Sequence, residues 1–191
     1  TSSASAQVPM CGANPPSSPT AVASFLSLST FLSAWNVSTP ARRASSKVSK
    51  DKAAPLIVTL HGLGTGPGVM MTKNALDLAE AGGYVVVAPM GYSVGGWYGS
   101  PVIGGPGAGK GKAPAQPAGP ANLPELSEKD VMNVLTLVKK EYSVDPDRVY
   151  LMGHSMGGGG TWHLGIKHAE EWAALAPIAP AIFGRDPKDL E

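Results

Sequence analysis

The sequence predicts an α/β fold in which a mainly parallel sheet is covered by helices on both faces. Two observations predict it. From Pro55 onward, continuous apolar runs alternate with segments of helical periodicity, and such runs mark strands buried on both faces of a parallel sheet. The chain also has 191 residues, of which 43% are hydrophobic, enough for one domain with a sizeable core.

The elements follow in order. PLIVTLHG reads as a first strand and GYVVVAP as a second, with a helix at about residues 70 to 81 between them. ELSEKDVMNVLTLVKKEY is helical: Val131, Val134, Leu135 and Val138 fall on one face, and Ser127 three residues before Asp130 resembles a capping box at its start. RVYLMG and ALAPIA supply the third and fourth strands. Between Val102 and Leu123 the Gly, Pro and Ala content is high and periodicity is absent, so a long loop that overhangs the site is expected there. In this layout ligands bind beyond the carboxyl ends of the strands.

Most serines precede residue 50 and the composition changes near Ala54. Residues 1–53 therefore read as a Ser/Pro-rich leader and N-terminal segment, and residues 54–191 as the core. TAVASFLSLSTFLSAW is too short and too rich in serine to span a membrane, lacks the basic flank of a signal peptide, and fits a docked amphipathic helix. Asn36-Val37-Ser38 matches a glycosylation acceptor, a pattern short enough to arise by chance. ARRASSKVSKDK, interrupted by serines, reads as a solvated linker, and with 15 basic against 14 acidic residues nothing points to nucleic acid. The single cysteine, Cys11, excludes an internal disulfide and sits in a poor setting for a catalytic thiol.

RVYLMGHSMGGGG, residues 148–160, carries the chemistry. Glycine disfavours a helix interior by about 1 kcal/mol relative to alanine, yet four stand where a helix begins. A strand that turns sharply through His154-Ser155-Met156 into a helix accounts for them: the turn lifts the Ser155 hydroxyl above the sheet, and side chains beside it would collide with neighbouring elements. The first amides of that helix face the place where an attacked carbonyl gains negative charge, which makes the Met156 N–H a natural donor. HGLGTGPG, after the first strand, supplies the second donor, assigned to Leu63. In so glycine-rich a chain the bare Gly-x-Ser-x-Gly pattern decides little; its place at a strand-to-helix junction, after a His-Gly loop, carries the inference.

With these residues in view, PLIVTLHGLG, GYVVVAPMGY, GGWYGSP, LSEKDVMNVL and VDPDRVYLMGHSMGGGGTW resemble the α/β-hydrolase superfamily over about residues 54–183. More narrowly they are similar to secreted esterases related to polyhydroxybutyrate depolymerases and feruloyl esterases, which border on prolyl-oligopeptidase-type hydrolases. The resemblance implies attack by Ser155 on a small-molecule ester, an acyl-enzyme, an oxyanion hole from the N–H groups of Leu63 and Met156, no cofactor, and a secreted or periplasmic location. It also implies that Trp97 and Tyr98 lie near the acyl or alcohol pocket, against the plain alternative of a core-edge aromatic at Trp97.

One departure is serious. A serine needs a base and an acid to orient it, and this fold places them after the serine, acid first. His154 is adjacent to Ser155 and should point away. His163 lies eight residues into the following helix, about 12 Å along its axis, and His168 is farther. His61 borders the oxyanion loop, where the resemblance implies a structural histidine. Asp145 and Asp147 sit at the far end of the strand, roughly 20 Å from Ser155, where they fix a turn, and Asp186 stands in FGRDPKDL, which reads as a surface turn. The expectation is that this chain is the amino-terminal part of a longer hydrolase whose base and acid lie in a carboxyl-terminal part that was removed, left out or supplied as a complementary fragment by another polypeptide. The alternative is a complete chain that hydrolyses poorly or not at all.

Rival classes are weaker. GGPGAGKG, residues 104–111, imitates a phosphate-binding loop, but Gly111 replaces the required Ser or Thr and no helix follows. His163 and His168, five apart on a helix, point in different directions, so no metal is expected. A non-catalytic binding module and a prolyl-oligopeptidase-type peptidase remain the alternatives.

Overall fold

The computed structural model describes residues 40–101 and 119–182, all within one compact unit, Asn36–Glu191. Cys11, the Thr20 to Trp35 segment, Asn36-Val37-Ser38, the 104–111 glycine run and Asp186 lie outside the described residues. Five strands form one sheet: β1 (Ala41–Ala44), β2 (Ala54–Leu60), β3 (Val85–Ala88), β4 (Val144–His154) and β5 (Ala174–Ile178). Three helices accompany them: α1 (Lys73–Gly82), α2 (Leu123–Glu141) and α3 (Met156–Lys167).

The strand order is β1-β3-β2-β4-β5, with β3, β2, β4 and β5 mutually parallel and β1 antiparallel to β3. The runs of β2 and β3 are buried along nearly their whole length, whereas β4 alternates toward its carboxyl end and β5 is partly exposed. Leu56, Val58, Leu60, Val85, Val87, Val149 and Leu151 have no exposed surface. They pack on one face against Val131, Val134, Leu135 and Val138 of α2 and Met156 and Leu164 of α3, which is the α2 stripe expected from its spacing. On the other face Ile57, Tyr84, Tyr150, Met152, Ala174 and Ala176 line an apolar groove of about 300 Å³. Among the described residues no helix is long and apolar enough to cross a membrane.

Two expectations change. The ARRA start of the basic run is β1 rather than linker, a short edge strand whose charged residues hid it, as charges on edge strands blunt further pairing. The residues after it are tied down as well: Ser45 Oγ donates to the Glu80 carbonyl at 3.1 Å, Ser46 Oγ bonds the Glu80 carboxylate, and Lys47 Nζ reaches the Ala81 carbonyl at 2.7 Å. The capping-box reading of Ser127 and Asp130 also fails. Helix α2 begins earlier, at Leu123 with Pro124 in its first turn, where proline's fixed φ and missing N–H are tolerated. Ser127 and Asp130 are thus interior to the helix, buried at 0% and 4% exposure.

Candidate active site

Ser155 lies between the last residue of β4 and the first of α3, with φ 56° and ψ −114°. A left-handed serine costs about 1–3 kcal/mol and needs surrounding structure to hold it. Hydrogen bonds do so: its N–H donates to Ile178 O at 3.0 Å, and its carbonyl accepts from Gly159 at 3.0 Å and Ala181 at 2.9 Å. The loop after β5 therefore braces the turn. The side chain is half-buried and does not cap α3, so among the described residues the hydroxyl has no fixed partner.

Glycine lets the helix come this close. A Cβ on Gly157 would stand 2.6 Å from the Leu60 carbonyl carbon and 2.8 Å from the His61 oxygen, distances that real Cβ atoms do not adopt. The start of α3 therefore rests on the end of β2, and the loop that follows β2 runs past the serine: a Cβ on Gly62 would lie 3.7 Å from the Ser155 Cβ. The next residue is Leu63, 54% exposed. The Met156 side chain is buried in the core, and its N–H, first in α3, has no partner within the helix. The carboxyl ends of β2 and β4 thus bring together Ser155, Met156 and the loop that carries Leu63.

That loop is held from the side by the segment after β3. The Tyr98 hydroxyl bonds both backbone groups of His61, the His61 Nε2 faces Met90 O at 3.0 Å, and Gly64 N–H donates to Val94 O at 2.9 Å. Trp97 and Tyr98 take consecutive left-handed conformations, φ 58° and 53°. Tyr98 has no exposed surface, and burial pushes its phenol far above the usual range, so it remains a neutral donor. Trp97 is half-buried against the core.

Ser127 and Asp130, whose spacing predicts a helix cap, instead grip this same segment. Ser127 Oγ donates to Gly91 O at 2.7 Å and accepts from Tyr98 N–H at 2.9 Å, while Asp130 Oδ2 accepts from Gly91 and Tyr92 N–H at 2.8 and 3.2 Å. Burial raises the Asp130 carboxyl above its ordinary value, against the lowering effect of those two amides. A signal existed: at spacings of three and four, Ser127, Asp130, Val131 and Val134 share one helix face, and polar residues on a buried stripe need partners.

The described histidines are distributed as follows. His61 is fully buried, its ring nitrogens facing the Gly62 and Met90 carbonyls. His163 and His168 both turn to Glu128, at 3.1 and 2.9 Å, joined by Lys167 at 2.9 Å. Partial burial alone would raise the Glu128 carboxyl, but hydrogen bonds from Lys167, His168 and His163 outweigh it and hold the acid down at about 2. His154 is exposed. Asp145, at the far end of β4, accepts from Arg148 Nε at 2.6 Å and from the Asp147 N–H at 3.1 Å. Among the described residues no group of three or more His, Cys, Asp or Glu could hold a metal ion.

A serine on a left-handed turn between a central parallel strand and a glycine-opened helix defines the nucleophile-elbow class of α/β protein. The family model described as serine aminopeptidase, S33, matches residues 107–190. A bifunctional acetylxylan esterase/xylanase of Neocallimastix patriciarum is 32% identical over 133 residues, 69% of this chain and 16% of that protein. In fold, the chain is similar to an S-formylglutathione hydrolase of Agrobacterium tumefaciens, with TM-score 0.55 and 20% identity over 74% of this chain and 52% of that one. It is similar also to a fluorophosphonate-binding serine hydrolase of Staphylococcus aureus, with TM-score 0.50 and 16% identity over 74% of this chain and 56% of that one. The chain belongs to the α/β-hydrolase superfamily. It spans 16% of the curated relative and about half of these two solved structures.

Proposed function

We propose that this chain carries the nucleophile-bearing part of a serine hydrolase that cleaves carboxylic esters. The Ser155 oxygen attacks the ester carbonyl, the N–H groups of Met156 and Leu63 stabilise the oxyanion, the alcohol leaves with a proton, and water then hydrolyses the acyl-Ser155 ester. The observation that carries this reading is the Ser155 hydroxyl, lifted by a left-handed backbone, unengaged among the described residues, and set beside the start of α3 and the loop after β2. In this reading the base and its acid are supplied by residues outside those described: His61, His163 and His168 are each bonded to other partners, and His154 is exposed next to Ser155 on the turn itself.

The Neocallimastix relative is named for acetylxylan esterase activity, which supports a small acyl group, and first an acetyl ester of a carbohydrate, as the substrate class. Trp97 is the wall residue in this reading, and Tyr98, fully buried, supports the wall from beneath. The enzyme works outside the cytoplasm, as its resemblance to secreted esterases implies. The test is labelling with a fluorophosphonate probe together with p-nitrophenyl acetate hydrolysis, in the chain joined to a complementary carboxyl-terminal segment. Labelling that disappears in Ser155→Ala is expected. A probe-inert Ser155 in that assembly would instead assign a binding module.

The match to the serine aminopeptidase model favours a peptidase as second reading. Faster release of p-nitroaniline from aminoacyl anilides than of p-nitrophenol from the acetate would select it.

A further inference from the structure

We propose that Asp130 and Ser127 of α2 are positioning residues for the oxyanion loop, acting through the segment after β3. The inference rests on the serine-hydrolase reading only for its functional meaning; the mechanical link is geometric. Asp130 and Ser127 are both buried and sit one helical turn apart, and all four of their hydrogen bonds to this segment go to its backbone: Gly91 N–H and O, Tyr92 N–H and Tyr98 N–H. Gly91 itself has φ 67°, and a Cβ there would stand 2.5 Å from the Tyr98 ring and 3.1 Å from Ser127 Oγ. The segment is thus wrapped on the two side chains as tightly as glycine allows.

The same segment delivers its outer groups to the oxyanion loop. Tyr98, whose amide Ser127 holds, carries the hydroxyl that bonds His61 N–H at 3.0 Å and His61 O at 3.3 Å. Its ring meets the His61 ring edge-on at 5.6 Å between centroids. Met90 O, one residue before Gly91, faces His61 Nε2, and Val94 O accepts from Gly64 N–H. Leu63 is therefore flanked on both sides, at His61 and Gly64, by contacts to a segment that α2 fixes. An oxyanion donor must lie within a few tenths of an ångström of its place before the charge develops. Asp130 and Ser127 supply that rigidity without touching substrate.

Hydrogen exchange with mass spectrometry tests the relay in this chain and in Asp130→Ala, Asp130→Asn and Ser127→Ala. In Asp130→Ala and Ser127→Ala the amides of Gly91, Tyr92 and Tyr98, and with them those of His61 and Gly64, are expected to exchange roughly tenfold faster or more, while β4 amides keep their rates. Asp130→Asn, which keeps one oxygen to accept both amides, is expected to restore slow exchange in both segments, a rescue that a general packing role would not produce. A rise confined to the segment after β3, with His61 and Gly64 unchanged, overturns the proposal, as does Asp130→Asn exchanging like Asp130→Ala. If Asp130→Ala does not fold, Ser127→Ala and Asp130→Asn decide by the same criteria. Probe labelling of Ser155 is followed in parallel: an inert Ser155 in the joined assembly sinks the hydrolase reading and leaves the exchange result standing.

Discussion

The Tyr98 hydroxyl lies 3.0 Å from the backbone nitrogen of His61 and 3.3 Å from its carbonyl oxygen, closing both polar groups of one residue with a single side chain. Tyr98→Phe leaves a buried N–H and a buried carbonyl unpaired, at about 1–3 kcal/mol. Chemical denaturation is expected to show that loss with little change in slope; a shift below a few tenths of a kcal/mol would mean that water or another group takes the place of the hydroxyl.

Ser155 holds a backbone conformation that costs stability. Glycine adopts φ 56° without the steric cost that serine bears, so Ser155→Gly is expected to raise the unfolding free energy by about 1 kcal/mol while abolishing probe labelling. Ser155→Ala removes labelling and leaves the strain. Thermal unfolding of the two variants side by side measures the difference, and equal midpoints would show that the turn is not strained.

Gly157→Ala places a methyl against the Leu60 carbonyl carbon and the His61 oxygen. Backbone cannot move aside as a side-chain tip can, so the loss is expected at about 3 kcal/mol or more, read as a lower Tm. A variant with native Tm would require α3 to approach β2 less closely than described.

Acid should loosen the junction of α2 and α3. Glu128 is held down to about 2 in the folded protein against an ordinary 4.5. Because the folded-state value is depressed, the stabilisation from Glu128 is present above about 4.5 and is lost as pH falls toward 2. Glu128→Gln is expected to lower stability at pH 7 and to converge with the native chain near pH 2. Asp130 has the opposite sign. Its carboxyl is raised by burial, so its ionisation works against folding as pH rises from the ordinary 3.8 through the raised value, and Asp130→Asn should gain stability relative to the native chain over that interval. Urea midpoints across pH settle both; a Glu128→Gln curve parallel to the native one would remove the charge cluster from the account.

Strands β2 and β3 were legible because burial on both faces writes itself into local sequence, as in VVVA at Val85–Ala88, and the α2 stripe because its buried residues recur at helical spacing. The turn at Ser155 was legible for a steric reason, since the glycines that admit it are local too. What escaped was non-local. Ser127 and Asp130 form a pattern that fits a helix cap equally well, and their partners lie 29 to 39 residues away. The edge strand β1 escaped because only its pairing with β3, and not its polar composition, makes it a strand. Tyr98 belonged to an aromatic pair expected near the pocket, and nothing in GGWYGS distinguishes the half-buried ring of Trp97 from the fully buried ring of Tyr98.

Every non-glycine residue with positive φ among those described, Tyr92, Trp97, Tyr98, Ser155 and Ala179, sits beyond the carboxyl end of β3, β4 or β5. The molecule is therefore tense along one rim and relaxed through its centre. On warming, that rim should slacken first, so that probe reactivity fades while the circular dichroism of the helices is still intact, and a sample that looks folded can already have lost its chemistry.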